Sequence, residues 1–431
     1  MADDISALSR LVTEFYESRK NKDPLDVHND LFQRVSLAEP VFDAAEATRA
    51  MTTILEGWIS QGPQVRTFEA SFAEYIPVKH GVAVNSGSSA NLVALECLRL
   101  VHSFQPGDEV IVPASTFATV AMPIIQIGLT PVYVDITRET LNISPKEIES
   151  AISNRTRLIM PVHTLGYPAE MNEIMSIAQR HQLLVLEDCC EAHGSAIDGR
   201  KVGSYGDLAT FSFFVAHNMT TGEGGMIVTP NEHYARMCRS LREFGRCDQE
   251  DIAEERYFND GVLVDYDKRY VFTQIGYNVR MTDICAAFGI EQLKKLPALN
   301  AKRQNHAQFL RHHILRAWSD LFECPGSDSS YEHTYYTFPI VLRERAEFSR
   351  REFAEHLERH GIETRPLFAG CLPDQPAFRS APGRSHGKLA TSRYIRDRAL
   401  FVGVHPGLTR QHMDHVINTI ASFVEGKGSH A

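Results

Sequence analysis

A glycine–serine turn at residues 85–90 has the residue types of a phosphate site. It reads Asn-Ser-Gly-Ser-Ser-Ala and lies between an apolar run, residues 81–85, and a helical period at residues 90–101. Backbone N–H groups at a helix N-terminus, together with serine hydroxyls, favour a bound anion. The same residues also suit a plain helix cap formed by Ser88 or Ser89. The turn alone does not decide between these two interpretations.

An acidic segment, Glu187-Asp-Cys-Cys-Glu-Ala-His193, follows another short apolar run. A carboxylate at the carboxyl end of a parallel strand points into the crevice where α/β proteins bind ligands. A carboxylate that only begins a helix is the alternative interpretation. Cys189 and Cys190 are adjacent and so lack the spacing of a zinc knuckle. We therefore predict buried structural thiols here and no metal site.

The most informative polar segment covers residues 211–225 and reads Phe-Ser-Phe-Phe-Val-Ala-His-Asn-Met-Thr-Thr-Gly-Glu-Gly-Gly. Ser212, at the end of a predicted strand, and the turn at residues 220–225 could both line a site. Without further context His217 is an ordinary loop histidine, although imidazole exchanges protons near neutral pH. Farther along, Asn278 lies in a polar loop tip, which is usually structural but can reach across a dimer interface.

Short apolar strands alternate with helical periods along most of the chain and would position these segments. The predicted strands are residues 81–85, 109–113, 131–135, 158–162, 183–186, 208–213 and 226–229. Strands that are apolar on both faces and separated by helices predict a mainly parallel sheet that is covered on both sides. The predicted fold class is therefore α/β.

The chain is predicted to divide into three parts. They are an N-terminal arm (1–40) with an amphipathic helix at 5–16 and a polar stretch at 17–30, a large domain (41–300), and a small C-terminal α+β domain (301–431). A helix at 284–293, capped by Thr282 or Asp283, precedes a longer helix at 296–316. In the small domain we predict a strand at 335–342 and a helix at 348–360 that ends at Gly361.

The composition excludes several classes of protein. Apolar residues make up 43% and charged residues 23%, which rules out wholesale disorder. With Lys+Arg 44 against Asp+Glu 54 the formal charge is −10, so we expect no nucleic-acid partner. There is no membrane-length apolar run, no signal-peptide pattern and no disulfide framework. We expect a soluble, cytoplasmic protein with no membrane contact.

Taken together and in this order, the polar segments resemble the pyridoxal-phosphate sugar aminotransferase and dehydratase family of the DegT type. The resemblance runs from Trp58-Ile-Ser-Gln-Gly-Pro63 to Thr364-Arg-Pro366 and covers most of the chain. It implies an aspartate-aminotransferase-like fold, which is fold type I of the PLP-dependent transferases. It also implies a homodimer that binds its cofactor in the large domain near the subunit interface.

The resemblance implies two groups of cofactor contacts. Gly87, Ser88 and Ser212 match ligands of the cofactor phosphate. Asn278 matches a residue that reaches the same phosphate from the other subunit.

A further group is implied around the cofactor ring. Phe117 matches the aromatic side chain that stacks on the pyridine ring. Asp188 matches the carboxylate that pairs with the protonated ring nitrogen and so keeps the ring able to accept electrons. Glu191 stands where the family's aminotransferases usually have glutamine.

His217 departs from the aminotransferases of that family, in which this position is the lysine that forms a Schiff base with the cofactor aldehyde. Imidazole cannot form a stable imine, and no lysine occurs between Lys201 and Lys268. The dehydratase branch of the family has histidine here. The resemblance therefore implies a PMP/PLP-dependent 3-dehydratase that acts on a nucleotide-linked 4-keto-6-deoxyhexose, as in 3,6-dideoxysugar biosynthesis.

Histidine suits that reaction on chemical grounds. Pyridoxamine phosphate brings its own amine to the 4-keto group, so the protein needs no lysine. One imidazole, with an ordinary pKa of about 6.5, could take the first proton and deliver it to the departing oxygen. In the cluster-free type of dehydratase L-glutamate restores the amine form of the cofactor, and we expect the same amino donor here.

Other members of that branch hold a 2Fe–2S cluster and take electrons from a reductase partner. Their cluster uses one cysteine shortly after the ring-nitrogen aspartate and three in a loop after a Gly-Arg pair. Here Cys190 or Cys189 could be the first ligand, but the loop after residues 245–246 offers Cys247 and then no cysteine before Cys285. Four thiolates are the usual requirement, so we expect no iron–sulfur cluster.

Three residues are expected on the substrate side. His163, in the segment 163–169, resembles part of the family's substrate-side loop, and Arg365 and Phe368 resemble residues that approach the sugar or its diphosphate. Each could equally belong to a folded loop.

The alternative functions are a cluster-dependent 3-dehydratase, a PMP/PLP enzyme for a different amino or keto sugar, and a non-catalytic homologue that binds cofactor or sugar.

Overall fold

The computed structural model describes residues 2–20, 34–326 and 330–428 of the chain. Its strands are β1 (His80–Val84), β2 (Glu109–Pro113), β3 (Thr130–Val134), β4 (Thr156–Ile159), β5 (Leu184–Asp188), β6 (Ala196–Ile197), β7 (Arg200–Lys201), β8 (Leu208–Ser212), β9 (Gly225–Thr229), β10 (Tyr257–Phe258), β11 (Tyr266–Asp267), β12 (Phe322–Glu323), β13 (Tyr331–Glu332), β14 (Phe338–Leu342), β15 (Thr364–Pro366), β16 (Arg384–Ser385) and β17 (Ala399–Val402). Its α-helices are α1 (Ala2–Lys20), α2 (Ala44–Leu55), α3 (Pro63–Tyr75), α4 (Gly87–Val101), α5 (Ala118–Gln126), α6 (Pro145–Ala151), α7 (Met171–His181), α8 (Glu232–Arg242), α9 (Gln249–Glu254), α10 (Asp283–Trp318), α11 (Arg350–Arg359), α12 (Pro376–Arg379), α13 (Ala390–Arg398) and α14 (Arg410–Gly428).

Eight strands form the central sheet, in the order β1-β9-β8-β5-β4-β2-β3-β16. Neighbouring strands from β8 to β16 are parallel, whereas β9 is antiparallel to both β1 and β8. The predicted mainly parallel sheet of an α/β fold is confirmed. The antiparallel strand β9 pairs with β8, which directly precedes it in the chain, and the residues that join them include the glycine-rich turn.

Helices cover both faces of this sheet. Strands β2, β8 and β9 are buried along their whole length, as expected for strands between two helical layers. Leu95 of α4 and Ile124 of α5 pack in one core, while Phe72 of α3 and Ile174 of α7 pack in two others. Each such buried side chain stabilises the fold by about 1.5–3 kcal/mol relative to an exposed one. The polar ends of the strands are therefore held by apolar packing along their middles.

A second sheet in the C-terminal part has the order β12-β14-β17-β15, and all of its pairings are antiparallel. Leu310 of α10, Phe353 of α11 and Ile420 of α14 pack in its core. This is an α+β arrangement, as the sequence predicts. The strand predicted at 335–342 begins only at Phe338, and Gly361 follows the C-cap of α11 with a positive φ of 79°.

The helices predicted at 284–293 and 296–316 are one helix. α10 extends over 36 residues and continues through Pro297. It therefore crosses the predicted domain boundary near residue 300, and β16 returns from the C-terminal part to pair with β3 in the central sheet. The division into 41–300 and 301–431 stays a prediction.

The N-terminal region contacts both parts of the protein. The helix predicted at 5–16 is the longer α1, and the ring of Tyr16 lies 6.3 Å from that of Phe42. Most of the predicted polar stretch at 17–30 lies outside the described residues. Val35 is fully buried in the C-terminal core, where its N–H donates to the Gly361 carbonyl at 2.9 Å. Within the described ranges, each helix is too short or too polar to cross a bilayer.

Candidate active site

A cavity of about 540 Å³ opens at the carboxyl ends of the parallel strands. Of the residues predicted from the sequence, Gly87, Ser88, Phe117, Asp188, Glu191, Ser212, His217, Arg365 and Phe368 line it, whereas His163 and Asn278 do not. In an open α/β sheet this edge is where ligands bind, because the strand-to-helix loops converge there. Sheet packing therefore brings together residues that are far apart in the sequence. Gly87 and Phe368, for example, are separated by 281 positions.

One end of the cavity is a close approach between the first turn of α4 and the end of β8. A Cβ on Gly87 would lie 2.5 Å from the Cβ of Ser212 and 3.0 Å from its Oγ, so glycine is required. The prediction that Ser88 or Ser89 caps α4 is wrong, because Ser86 is the cap and its Oγ accepts the Ser89 N–H at 3.1 Å. Ser88 is exposed in the first turn of α4, where backbone N–H groups have no partner within the helix itself, a setting that favours an anion.

Asp188 lies at the end of β5 and is 4% exposed. Its Oδ2 accepts a hydrogen bond from Asn91 Nδ2 at 2.9 Å, and its Oδ1 accepts one from the Cys190 N–H at 3.0 Å. Thr210 in turn donates to Asn91 Oδ1 at 2.6 Å. These bonds fix the orientation of the carboxylate towards the cavity, where it could pair with a cationic group of a ligand.

Glu191 has a carboxyl group whose ionisation is changed by its surroundings. Burial raises the pKa of Glu191 to about 8; the Leu165 N–H lowers it and the negative charge of Asp188 raises it. The Leu165 N–H donates to Glu191 Oε2 at 2.7 Å. At neutral pH the Glu191 side chain is therefore mainly protonated, so it can donate a hydrogen bond to a ligand as a glutamine would.

Aromatic and cationic side chains form the mouth of the cavity. Phe117 follows β2 and is 57% exposed, and its ring centroid lies 6.5 Å from that of Phe368. Arg365 in β15 is the one cationic side chain among the described residues that line the cavity. Its Nη1 donates to the Thr364 carbonyl at 2.6 Å, which leaves the other guanidinium donors for an anionic ligand.

His217 lies in the turn between β8 and β9. Its Nδ1 is buried without a hydrogen-bond partner among the described residues, whereas Nε2 is not buried and the side chain lines the cavity. Burial lowers the pKa of His217 to about 3, and the nearby Arg303 charge lowers it further. The ring is neutral at neutral pH, and a proton that it acquires is readily released.

Sequence reasoning missed two residues that hold this wall of the cavity. The ring centroid of Tyr336 lies 5.3 Å from that of His217, and Tyr336 lines the cavity because β14 begins two residues later. Arg303 of α10 donates through Nη2 to the His217 carbonyl at 3.0 Å and through Nη1 to the Tyr336 carbonyl at 2.8 Å. Burial lowers the pKa of Arg303 to about 10. The aromatic pair Tyr335-Tyr336 before an apolar strand was the available signal, and it is a weak one.

The prediction that His163 lies on the substrate side is wrong, because the side chain is fully buried away from the cavity. Its Nε2 lies 3.2 Å from Glu187 Oε2, and its Nδ1 accepts the Ala169 N–H at 3.0 Å. His163, Glu187 and Cys189 are the one group of potential metal ligands found within the described ranges, with ligand atoms within 4.8 Å of one another. Backbone N–H groups of Gly203, Tyr205 and Gly206 occupy both Glu187 oxygens, so we interpret the group as structural.

Asn278 lies outside the cavity of its own chain. Its Oδ1 accepts a hydrogen bond from Arg280 Nη2 at 3.1 Å, and its backbone forms a bridge with Glu243. The expected approach of this side chain to the cavity of a second subunit stays a prediction.

Comparison with known proteins extends these observations. Residues 41–421 match the family model described as the DegT/DnrJ/EryC1/StrS aminotransferase family. The chain is 38% identical to a dTDP-4-dehydro-2,6-dideoxy-D-glucose 3-dehydratase of Saccharopolyspora spinosa, over 89% of this chain and 85% of that protein. It is 35% identical to a GDP-perosamine synthase of Caulobacter vibrioides, over 89% of this chain and 96% of that protein.

A solved structure agrees with the fold. The crystal structure of GDP-4-keto-6-deoxymannose-3-dehydratase with a trapped PLP–glutamate geminal diamine superposes with a TM-score of 0.82. The two sequences are 28% identical, and the superposition covers 90% of this chain and 100% of the dehydratase chain. The fold is therefore that of the PLP-dependent sugar aminotransferases and dehydratases. Because the family match extends over nearly the whole chain, this protein belongs to the DegT/DnrJ/EryC1/StrS aminotransferase family.

Proposed function

We propose that this protein is a PMP-dependent dehydratase that removes the 3-hydroxyl of a nucleotide-linked 4-keto-6-deoxyhexose. The observation that carries the proposal is His217, an imidazole whose Nε2 lies at the cavity that Asp188 and Ser212 also line. A lysine-dependent aminotransferase needs a primary amine at this place, and no lysine occurs between Lys201 and Lys268.

The lining residues fit pyridoxamine phosphate. The close approach of Gly87 to Ser212, which a Cβ would block, together with exposed Ser88, forms a cradle for the phosphate. Asp188, oriented by two hydrogen bonds, would hold the protonated ring nitrogen, Phe117 would cover the ring, and Glu191 would bond a ring substituent. Bound there, the cofactor would supply an amine for the sugar ketone and a ring that accepts electrons.

His217 would act as the acid and base of the reaction. A departing hydroxide needs a proton, and Nε2 of His217 can take a proton from a carbon and deliver it to that oxygen. Because burial and the Arg303 charge lower the pKa of His217, a protonated His217 gives up its proton readily. This favours delivery to a poor leaving group.

The substrate class is supported by the mouth of the cavity and by the relatives. Arg365 would meet the diphosphate of a nucleotide sugar, and Phe368 would contact the sugar or base. Relatives of this chain are described as acting on dTDP- and GDP-linked sugars. We expect L-glutamate to restore the amine form of the cofactor, which the PLP–glutamate complex of the related dehydratase supports.

A panel of CDP-, GDP- and dTDP-linked 4-keto-6-deoxyhexoses, incubated with pyridoxamine phosphate and glutamate, tests the function. A 3-deoxy product from at least one sugar is expected. A 4-amino product without loss of the 3-hydroxyl would instead identify an aminotransferase, as in the perosamine synthases. No product from any sugar would contradict the proposal. Stoichiometric iron and sulfide in the purified protein would contradict the expected absence of a 2Fe–2S cluster and of a reductase partner.

Two substitutions at His217 test its role. His217→Asn removes the proton acceptor, so dehydration should fall by at least about a hundredfold while cofactor binding, followed by absorbance, is retained. His217→Lys should bond the aldehyde form of the cofactor covalently, which an absorbance shift and fixation by borohydride would show. Borohydride fixation of the cofactor to the unmodified protein would contradict the proposed role of His217, as would an active His217→Asn variant.

A further inference from the structure

Four buried polar atoms cluster behind His217 and have no hydrogen-bond partner among the described residues. They are Nδ1 of His217, both ring nitrogens of His193 and Oδ1 of Asn218. Buried polar groups in folded proteins are paired in the great majority of cases, so a group of four neighbouring exceptions needs a physical explanation. The missing hydrogen-bond partners are to be sought among the neighbouring polar groups or in water between them.

His193 is placed on the side of His217 that faces the protein core. It is fully buried, its ring centroid lies 6.0 Å from that of His217, and the rings of Phe211 and Phe213 lie 5.4 Å and 5.7 Å away. The backbone here is fixed, because Asn300 Nδ2 donates to the His193 carbonyl at 2.7 Å. The phenylalanine rings cannot supply the missing partners, and the polar groups that act on the His193 ring are the Ser212 backbone and the Asn218 side chain.

Asn218, the residue after His217, is held in the same network. Its Nδ2 donates to Asn300 Oδ1 at 2.9 Å and to the Thr334 carbonyl at 3.1 Å. The amide orientation is thus set by two acceptors, which turns Oδ1 away from them. An amide oxygen accepts hydrogen bonds and cannot donate, so Oδ1 needs an N–H or a water as its partner.

Burial leaves both histidines neutral at neutral pH. Burial lowers the pKa of His193 well below its ordinary value, and protonation of His217 and the charge of Arg303 act in the same direction. The Ser212 backbone and the Asn218 side chain act in the opposite sense on His193. On the cavity side, Tyr336 contacts the His217 ring, and Glu191 is the acidic group near Tyr336.

We propose that His193 is the positioning residue of His217. The Nδ1–H of His217 donates to one ring nitrogen of His193, directly or through one buried water, and the other nitrogen of His193 donates to Asn218 Oδ1. This single chain pairs all four orphan atoms. It also places the lone pair of His217 on Nε2, at the cavity, because the partner of one imidazole nitrogen sets which nitrogen carries the proton. The proposed contacts of His193 do not depend on the proposed function, whereas their role in catalysis rests on it.

A neutral imidazole in this position has a chemical consequence. A carboxylate would orient His217 equally well but would also stabilise the protonated ring and so retain the proton. His193 orients the ring without adding a negative charge. His217 can therefore return its proton to a departing hydroxyl more readily than it could beside a carboxylate.

The tautomer of His217, that is, which ring nitrogen carries the proton, tests the inference directly in the cofactor-free protein. Nitrogen NMR of protein with labelled histidine, with His217→Asn used to assign the signals, should show the Nδ1–H form of His217 at neutral pH. His193→Phe, which suits the surrounding phenylalanines, should convert this to a mixture of the two forms. His193→Gln keeps an acceptor and a donor and should restore the Nδ1–H preference.

A substitution at a second buried histidine, His405, serves as the control. His405→Phe removes another fully buried histidine, whose Nε2 lies 3.1 Å from Ser36 Oγ, and should leave the His217 signals unchanged. An Nε2–H form of His217 in the wild-type protein would overturn the proposal without any variant, and so would unchanged His217 signals in a folded His193→Phe protein. In dehydration assays His193→Phe should lower kcat about tenfold or more with little change in KM. If the wild-type protein dehydrates no sugar, the proposed function fails, while the NMR result still decides this inference.

Discussion

The carboxyl group of Glu191 makes the stability of the cofactor-free protein depend on pH. Its pKa is about 8 in the folded protein, above the ordinary value of 4.5, mainly because the group is buried. The folded state therefore holds a proton that the unfolded chain has lost between these two values. Its contribution to stability is complete below pH 4.5 and is lost as the pH rises through 8.

Glu191→Gln should remove this dependence, because an amide has the same shape and does not ionise. We expect the variant and the wild-type protein to melt together at about pH 5 and the variant to melt several degrees higher at about pH 9. Thermal unfolding of the cofactor-free proteins across this range measures the difference. Glu223→Gln is the matched control, since Glu223 is an exposed carboxylate of the same cavity and its variant should follow the wild-type curve. A constant difference between Glu191→Gln and the wild-type protein at all pH values would contradict this account.

At the scale of elements, α3 begins with a cap that comes from another helix. Its own N-cap, Gly62, has no side chain, and Asp283 of α10 accepts the N–H groups of Gly62, Gln64 and Val65 at 2.8, 3.1 and 2.9 Å. Asp283 is fully buried, so water cannot replace it. One carboxylate thus joins the start of α3 to the start of α10.

Asp283→Ala should lower the free energy of unfolding by about 2–3 kcal/mol, because it leaves three N–H groups unpaired, two of them in the buried residues Gly62 and Val65. Asp283→Asn keeps one acceptor oxygen and should lose only about half as much. Urea denaturation followed by circular dichroism gives both values. Equal stability of the alanine variant and the wild-type protein would show that the cap contributes nothing.

α10 also links the cavity to the C-terminal part of the chain. One end of this helix carries Asp283, and Arg303, farther along it, binds the carbonyls of His217 and Tyr336. The backbone carbonyls of His217 and Tyr336 are therefore held by the same helix. A shift of α10 would therefore move His217 and Tyr336 together.

At the scale of the whole molecule, the expected homodimer has a direct test. If Asn278 completes the cavity of the partner subunit, then His217→Asn and Asn278→Ala disable different halves of each site. Mixed dimers of these two inactive variants would contain one intact site. Random mixing should restore about a quarter of the wild-type activity, and each variant alone should stay inactive.

The same mixture distinguishes the competing arrangement. If Asn278 acts within its own chain, every site in the mixed dimer carries a substitution, and no activity returns. Mixing His217→Asn with a Ser212→Ala variant is the matched control, because both residues line the same cavity of one chain. That pair should not complement each other in either arrangement.

The sequence by itself determined the α/β fold, the strands of the central sheet and most of the cavity. Gly87, Asp188 and Ser212 each lie at or just after the end of an apolar strand, and strand ends can be recognised from local patterns, whereas His217 was singled out by the family resemblance. The family resemblance then rests on the order of these local segments. Both depend on residues near one another in the chain.

Only the tertiary structure decided what surrounds those residues. It buried His163 against Glu187, brought Arg303 and Tyr336 to His217, and placed Asp283 at the start of α3. These contacts join residues far apart in sequence, and they are set by how helices and sheets pack, which no local pattern specifies. Local periodicity thus determines the strands and their polar ends, while packing decides which side chains share a cavity and which support it from behind.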